Sequence, residues 1–233
     1  MKGVILAGGE GGRLRPFTRL VNKSALPVYD KPAIYFPIKT LIGAGIEDIL
    51  IHTRNPNDYQ TVLSNEHFEA DINYDIEHEP RGTAAALHHM REKIRDIEVL
   101  AILGDIYISF RIQPPSDPNN CNIYLSSNFD PNRISEYGVA ELDSQGKVLS
   151  FEEKPPQPKG RHVHMGTTYF PRDLVGILEE FEIIEGKNLT DVAKEYHKLG
   201  RLSAQAHNGE WFNMGTFDDL LNAGLYRREH KEM

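Results

Sequence analysis

The segment that most constrains this chain is its glycine-rich N-terminal loop, which reads Gly3-Val-Ile-Leu-Ala-Gly-Gly-Glu-Gly-Gly-Arg-Leu-Arg-Pro-Phe-Thr18. A short apolar strand runs directly into four glycines within five positions, and Arg13 and Arg15 follow at once. Glycine permits positive φ and lets backbone N–H groups approach an anion without interference from a Cβ atom. A guanidinium group just beyond such a loop can bind phosphate oxygens in bidentate fashion. The pattern therefore predicts a loop that binds a polyphosphate.

The loop matches neither of the two common phosphate-binding motifs. A P-loop would end in Gly-Lys-Ser/Thr, which is absent here, and the motif G-x-G-x-x-G would need a glycine where Leu14 stands. A glycine cluster by itself is also compatible with a flexible strand-to-helix turn that has no ligand. The combination with Arg13, Arg15 and Pro16 at fixed offsets favours the phosphate-binding interpretation.

Short β-branched runs alternate with helical patterns in the first half of the chain. The elements predicted there are strand 4–6, helix 33–44, strand 49–52, helix 58–64, strand 70–77, helix 83–94 and strand 99–103. Such alternation implies a mostly parallel sheet with helices on both faces and a ligand crevice at the carboxyl ends of the strands. Three prolines between 110 and 121 predict a loop. The remainder is richer in strands, and helices are predicted at 172–181, 190–199 and 216–228.

Composition excludes several classes of protein. The formal net charge of −8 and the absence of a basic run disfavour a nucleic-acid partner, although local cations can still bind a small anionic substrate. The single cysteine, Cys121, cannot form an internal disulfide. The only N-terminal apolar run ends at Gly8, so we expect no signal peptide, no membrane span and a cytoplasmic protein.

Three blocks resemble the sugar-1-phosphate nucleotidyltransferases, also called nucleotide-sugar pyrophosphorylases. The first is Leu6-Ala-Gly-Gly-x-Gly-x-Arg-Leu-x-Pro-x-Thr18, and the second is the Lys-x-x-Leu-Pro-Val-x-x-Lys-Pro pattern within 22–38. The third block is Ala44-Gly-Ile-Glu-Asp-Ile-Leu-Ile51. Together with the sequences Val-Tyr-Asp-Lys-Pro and Ile-Tyr-Phe-Pro-Ile of the second block, it is most similar to glucose-1-phosphate thymidylyltransferases. The resemblance spans residues 1 to about 226.

The resemblance implies a role for particular side chains. Catalytic contacts to phosphates are implied for Arg13, Lys23 and Lys154. Nucleotide contacts are implied for Leu6, Ala7, Gly8, Gly9, Gly11, Gly12, Gly82 and Thr83. Sugar contacts are implied for Glu153, in the motif Glu-Lys-Pro, and for Gly166. Taken without the resemblance, Lys23 is an ordinary surface lysine, Gly82 starts a helix, and Gly166 relieves crowding in a strand.

Magnesium is the cofactor that the resemblance implies. Asp105 follows Gly104 at the end of a hydrophobic strand, which is where the family carries its principal magnesium aspartate, although Gly-Asp alone is more often a turn. The second ligand departs from the family, since Trp211-Phe-Asn-Met-Gly-Thr216 has Asn213 where relatives have aspartate. An amide oxygen can coordinate a hard cation, but the site loses one negative charge.

We therefore expect one Rossmann-like three-layer α/β domain over 1–233, with a nucleotide-binding half at about 1–110 and a strand-rich sugar-binding half at about 111–233. A chain of this length buries roughly 70% of its unfolded surface as a single domain. The expected substrates are a nucleoside triphosphate, with dTTP or UTP favoured, and a sugar 1-phosphate, with glucose 1-phosphate favoured. The segment Gly82-Thr-Ala also resembles guanylyl and uridylyl relatives, which leaves the base open. The sequence is also compatible with a homo-oligomer.

The expected reaction is attack of a sugar-phosphate oxygen on the α-phosphorus of the triphosphate, with loss of pyrophosphate. It requires positioning and charge neutralisation more than covalent chemistry. The alternative is a catalytically silent sugar-nucleotide sensor or regulatory protein on the same fold. Asn213 and the short loop at 110–121 favour the sensor, whereas Arg13, Lys23, Asp105 and Lys154 favour the enzyme.

Overall fold

The structure is a computed structural model that describes residues 1–79, 81–181 and 186–231. The strands in these residues, numbered β1 to β13 in chain order, are Lys2–Leu6, Pro27–Val28, Lys31–Pro32, Asp48–Thr53, Asp71–Ile76, Val99–Leu103, Ile106–Ile108, Cys121–Ser126, Gly138–Leu142, Val148–Glu153, His162–Phe170, Leu202–His207 and Trp211–Asn213. The α-helices, α1 to α7, are Tyr35–Gly43, Asn57–Val62, Thr83–His89, Arg91–Ile94, Leu174–Glu180, Leu189–Lys198 and Phe217–Glu229.

The strands and helices predicted above, apart from the helix at 83–94, each lie within two residues of the observed element at both ends. The single helix predicted over 83–94 is wrong, because the structure has α3 and α4 separated at Met90, whose φ of −83° and ψ of 5° do not continue an α-helix. The loop predicted between 110 and 121 is confirmed, since neither a helix nor a strand occurs between β7 and β8. The strands β2, β3, β7, β12 and β13 were not predicted. Of these, β13 ends at Asn213, and β7 begins directly after Asp105.

The chain divides into two compact units. Unit 1 consists of Met1–Pro80, Ile102–Ile112 and Glu210–Met233, and unit 2 of Arg81–Ala101 and Gln113–Gly209. Each unit is therefore built from separate stretches of sequence. The predicted single domain with halves meeting near residue 110 stays a prediction.

Unit 1 contains the parallel pairing that the first half of the sequence predicts. Strand β4 is parallel to β1, with Leu6 opposite His52, and parallel to β5, with Thr53 opposite Ile76. The carboxyl ends of these strands consequently lie at one edge, where the glycine loop begins. Strands β7 and β13 form a separate antiparallel pair in which Ile106 is opposite Asn213.

A buried aromatic cluster in unit 1 holds β7 and β13 in place. The rings of Phe36 on α1 and Tyr107 on β7 are stacked with centroids 3.9 Å apart, and buried Met214 and Ala223 join the same cluster. Burying one such side chain contributes roughly 1.5–3 kcal/mol. This packing fixes the backbone positions of Asp105, just before β7, and Asn213, at the end of β13.

Unit 2 is the strand-rich part. Strand β11 is antiparallel to β8 and β9, β9 is antiparallel to β10, and β8 is parallel to β12. The register of β11 against β8 is irregular between His164 and Thr168, and Gly166 in this interval has a φ of 68°. Helix α6 begins with a capping box. The side chain of Asn188 accepts the backbone N–H of Asp191, and the side chain of Asp191 accepts the backbone N–H of Asn188.

The predicted fold class is confirmed. Helices and strands are mixed along the chain, and the large central sheet is mostly parallel and Rossmann-like. Among the described residues, no helix is both long and apolar enough to span a membrane.

Candidate functional site

Hydrogen bonds fix the start of the glycine loop in unit 1 at Ala7, the first residue after β1. The N–H of Ala7 donates to the carbonyl of His52 at 2.9 Å. The carbonyl of Ala7 accepts the amide Nδ2 of Asn22 at 2.7 Å and the hydroxyl of Tyr59 at 3.3 Å. Burial raises the pKa of Tyr59, so its hydroxyl stays protonated and remains a donor. The start of the loop is therefore held by groups that lie far from it in the sequence.

The glycines of the loop differ in what their backbone requires. Leu6, Ala7 and Gly8 are buried, whereas Gly9 and Gly12 are exposed. Gly11 has a φ of 64°, and a Cβ there would lie 2.8 Å from Cγ2 of Thr18. The hydroxyl of Thr18 also donates to the carbonyl of Gly11 at 2.8 Å. Position 11 thus requires glycine, whereas the exposed backbone N–H groups of Gly9 and Gly12 are accessible to a ligand.

Lys23 and Asp105 form the central ion pair of this site. The distance between Nζ of Lys23 and Oδ2 of Asp105 is 2.5 Å, and only 4% of the Asp105 side chain is exposed. Asn22 orients this lysine, because its Oδ1 accepts the N–H of Ser24 at 2.9 Å and caps the 3₁₀ helix Lys23–Ala25. A Cβ at Gly9 would lie 3.5 Å from Cε of Lys23, so the lysine lies beside the glycine loop.

The other oxygen of Asp105 is suited to a divalent cation. Oδ1 is buried and accepts no hydrogen bond from any part of the chain that the structure describes. A buried carboxylate oxygen without a donor is costly, and a hard cation with oxygen ligands would satisfy it. Asn213 is brought close along the backbone, since it lies opposite Ile106 and the next N–H, of Met214, donates to the carbonyl of Asp105 at 2.8 Å.

A metal site here would be poor in charged ligands. Across residues 1–79, 81–181 and 186–231, no three His, Cys, Asp or Glu side chains are grouped so that they could hold a metal ion. Asp105 would supply the only carboxylate among the predicted ligands, and Asn213 would supply the neutral oxygen predicted from the sequence. The assignment of both as metal ligands stays a prediction.

Arg13 reaches the segment that contains Asn213. A Cβ at Gly215 would lie 2.6 Å from a terminal guanidinium nitrogen of Arg13 and 3.5 Å from Oδ1 of Asn213. Gly215 therefore makes room for the arginine, which is exposed. Unit 1 brings together four predicted residues in this way: Arg13, Lys23, Asp105 and Asn213.

Unit 2 holds the residues predicted for the sugar. The Oε2 of Glu153 accepts the hydroxyl of buried Thr190 at 2.6 Å, and its Oε1 lies 3.5 Å from Nζ of Lys154. Lys154 has a φ of 44°, and its N–H donates to the carbonyl of Tyr137 at 2.9 Å. Its side chain is 62% exposed, so its ammonium group is accessible to an anion.

Gly82 and Thr83 pack against the segment that precedes α6. Gly82 has a φ of 116°, and a Cβ there would lie 2.6 Å from the carbonyl oxygen of Lys187. The hydroxyl of Thr83 accepts the N–H of Leu189 at 3.0 Å. This threonine thus has a structural contact in addition to its predicted contact with the nucleotide.

Gly166 lies in the irregular part of β11, and His164 stabilises that irregularity. The Nε2 of His164 lies 2.9 Å from the carbonyl oxygen of Thr167 and 2.9 Å from Oγ1 of Thr168. Because a carbonyl only accepts, Nε2 carries a proton. Burial lowers the pKa of His164, which favours the neutral ring. His164 is therefore a core histidine that supports the turn at Gly166.

Sequence reasoning missed three supporting residues: Tyr59, Thr190 and Gly215. Tyr59 lies in a short helix with no motif, and Thr190 reads as an ordinary residue of a helix N-terminus. Of the three, only Gly215 could have been identified from the sequence, because it belongs to the same Trp211–Thr216 motif as Asn213.

Comparison with known proteins gives consistent results along the whole chain. The sequence matches the family model described as Nucleotidyl transferase over residues 2–229. It is 35% identical to a glucose-1-phosphate thymidylyltransferase of Mycolicibacterium smegmatis, and the alignment covers 98% of this chain and 82% of that protein. A glucose-1-phosphate thymidylyltransferase of Mycobacterium tuberculosis is 34% identical with the same coverage of both chains.

Solved structures show the same fold. A Bacillus anthracis crystal structure, described as a proposed glucose-1-phosphate thymidylyltransferase in complex with sucrose, has a TM-score of 0.89 at 30% identity and covers 98% of this chain and 96% of that chain. A UDP-glucose pyrophosphorylase complexed with UDP-glucose has a TM-score of 0.83 at 20% identity, with 98% of each chain covered, and supports the fold alone.

Proposed function

Since this chain belongs to the nucleotidyl transferase family, we propose that it joins dTTP or UTP to glucose 1-phosphate and releases pyrophosphate. The chain is a sugar-1-phosphate nucleotidyltransferase. The choice of substrates follows the names of the relatives and the thymidylyltransferase-like blocks of the sequence. The observation that carries the proposal is the Lys23–Asp105 pair beside the glycine loop, with the buried Oδ1 of Asp105 available to a cation.

The residues of unit 1 would act on the triphosphate. The open backbone at Gly9 and Gly12 would donate N–H groups to phosphate oxygens, and Arg13 would bind the β- and γ-phosphates. Lys23 would neutralise charge at the reacting phosphates. Asp105 and Asn213 would hold Mg²⁺, which supplies charge neutralisation at phosphate oxygens when bound.

The residues of unit 2 would act on the sugar phosphate. Lys154 would bind its phosphate through an exposed ammonium group, and Glu153 would accept hydrogen bonds from the sugar hydroxyls. An oxygen of this phosphate forms a bond to the α-phosphorus. The bond between the α-phosphorus and the oxygen that bridges the α- and β-phosphates breaks, and that oxygen leaves as a terminal oxygen of pyrophosphate. Both oxygens belong to phosphates, so no strong base is needed. This agrees with a set of site residues dominated by cations.

The test of this function is a pyrophosphate-release assay with magnesium, run across the common nucleoside triphosphates and several sugar 1-phosphates. We expect the highest kcat/KM with glucose 1-phosphate and either dTTP or UTP. The second candidate function is the silent sensor, which Asn213 favours because it removes one metal-ligand charge. Tight binding of a nucleotide-sugar with no pyrophosphate release from any pair would establish the sensor.

Asn213→Asp is expected to tighten magnesium binding. The substitution restores a second carboxylate beside Asp105, and Mg²⁺ prefers charged oxygen ligands. We therefore expect a lower magnesium concentration for half-maximal activity, with kcat unchanged or raised. Calorimetric titration of both proteins with magnesium, with and without triphosphate, measures this directly. Identical curves would show that Asn213 is not a metal ligand, and activity found only in Asn213→Asp would favour the sensor.

Glu153→Ala is expected to raise the KM for glucose 1-phosphate by about 10- to 100-fold, since a hydrogen bond to a charged group is worth roughly 1.5–3 kcal/mol. The KM for the triphosphate should change little. Thr190→Val removes the hydroxyl that holds Glu153 and should raise the same KM by up to about tenfold, whereas Thr190→Ser should restore it. Equal changes in both KM values would contradict the assignment of Glu153 to the sugar.

The remaining expectations stay predictions. These are the cytoplasmic location and the absence of a nucleic-acid partner.

A further inference from the structure

The glycine loop of unit 1 carries one carboxylate. Between Gly8 and Gly12 every residue is glycine except Glu10, and the side chain of Glu10 is 63% exposed. A carboxylate close to a bound phosphate is unfavourable, because like charges at short range repel each other. Glu10 therefore opposes the anionic ligand that the glycines around it would bind.

Arg15 lies next to this carboxylate. Nη2 of Arg15 is 3.5 Å from Oε2 of Glu10, and the side chain of Arg15 is 54% exposed. Leu14 is fully buried, so the turn between the two charged residues packs against the core through its leucine. The ion pair consequently lies on the solvent side of the loop, where Gly12 is exposed as well.

The Glu10–Arg15 pair is easy to replace. A hydrogen bond between a guanidinium and a carboxylate is typically about 2.7–2.9 Å long, so a separation of 3.5 Å is a loose contact. An exposed ion pair typically changes an equilibrium constant by no more than about fivefold. A triphosphate offers several anionic oxygens in place of one carboxylate, and a guanidinium can bind two of them at once. The triphosphate is therefore the stronger partner for Arg15.

We propose that Glu10 holds Arg15 in the free protein and that the triphosphate takes the place of Glu10 when it binds. Arg15 is then a second arginine that binds the phosphates, in addition to Arg13. The inference rests on the proposed function, because the displacing ligand is the triphosphate of that reaction. Arg15 has an anionic partner in both states, and Glu10 lowers the affinity of the loop for any polyphosphate.

Calorimetric titration of the full chain tests this exchange. The ligands are dTTP, UTP and inorganic tripolyphosphate, each at one fixed magnesium concentration and without a sugar phosphate, so that no turnover is needed. Arg15→Gln is expected to raise all three dissociation constants by about tenfold, because it removes a charge-assisted contact to the phosphates. Glu10→Gln is expected to lower all three by about two- to fivefold, because it releases Arg15 and removes a repulsive charge.

The matched controls are Arg228→Gln and Glu229→Gln. Arg228 and Glu229, at the end of α7 in the same unit, are also 3.5 Å apart, and their side chains are 53% and 63% exposed. Neither residue belongs to the candidate site. These two variants should leave every dissociation constant unchanged, which separates a contact at the loop from a general change in net charge. A circular-dichroism melt checks that each variant is folded.

The double variant Glu10→Gln/Arg15→Gln distinguishes exchange from simple repulsion. If Glu10 competes for Arg15, Glu10→Gln should tighten binding much less when Arg15 is already replaced. An equal gain in both backgrounds would overturn the exchange. Weaker binding in Glu10→Gln would overturn it as well and would place Glu10 at the cation instead.

The three ligands separate failure of this inference from failure of the proposed function. Unchanged binding in Arg15→Gln would overturn the inference alone, and so would a change seen with the nucleotides but not with tripolyphosphate. A wild type that binds none of the three ligands would overturn the proposed function together with the inference.

Discussion

Asp105→Asn is expected to lower turnover by about 10²- to 10³-fold while the protein stays folded, because a preorganised charge felt mainly in the transition state is typically worth that factor. The carboxylate pairs with Lys23 through one oxygen and keeps the other buried and free of hydrogen bonds from the described chain. Asparagine has nearly the same shape and still offers one oxygen to Lys23. The change therefore removes the charge and a cation ligand with little loss of packing. Steady-state kinetics with varied magnesium measures the effect.

The matched control is Asp48→Asn. Asp48 pairs with Lys2 at 3.1 Å on the surface of the same unit, and its side chain is 51% exposed. An exposed ion pair contributes about 0–1 kcal/mol, so this variant should keep its activity and its melting temperature. Near-normal turnover in Asp105→Asn would remove the assignment of Asp105 to the metal.

Lys23→Met is expected to lower both turnover and stability. The loss of the cation should reduce turnover by at least about 10²-fold. Asp105 would be left as a buried carboxylate without its partner, and removing one member of a buried ion pair typically costs about 3–5 kcal/mol. Lys23 is 21% exposed, so we expect the lower end of that range. Denaturant unfolding and kinetics on the same preparations measure the two effects separately.

The double variant Lys23→Met/Asp105→Asn separates the structural role of the pair from its catalytic role. It should recover most of the lost stability, because the uncompensated charge is gone, but none of the lost turnover. Lys31→Met is the matched control, since Lys31 pairs with Glu66 at 2.6 Å and has a comparable exposure of 22%. It lies outside the candidate site and should not change kcat. Recovery of turnover in the double variant would contradict the role of Lys23 at the phosphates.

The family and the fold class were readable from the sequence because they depend on local patterns. The glycine loop, the Lys23 block and the alternation of apolar runs each occupy a short stretch, and each corresponds to one strand, loop or helix. The ends of those elements were placed well where caps or glycines mark them. The split of the predicted helix at Met90 was missed, because every residue from 83 to 94 is compatible with a helix.

The contacts of the site residues were not readable, because their partners are distant in the sequence. Nothing near Asp105 predicts an ion pair with Lys23, which is 82 positions away. Likewise, the hydrogen bond from the hydroxyl of Thr190 to Glu153 forms only because α6 lies next to the end of β10. Helix periodicity also could not show which apolar side of α7 faces the core, since both sides carry large apolar residues.

The sequence by itself determined the class of fold, the polyphosphate loop and the set of cations and carboxylates from which a nucleotidyltransferase site is built, because each is encoded within a few consecutive residues. Only the tertiary structure decided how these groups are used. It paired Lys23 with Asp105, left one buried oxygen of that carboxylate free of donors from the described chain, and placed Arg13 beside Gly215. It also left one face of α7 exposed. The physical reason is that the effect of a charge or an apolar side chain depends on its surroundings, and those surroundings come from parts of the chain that only folding brings together.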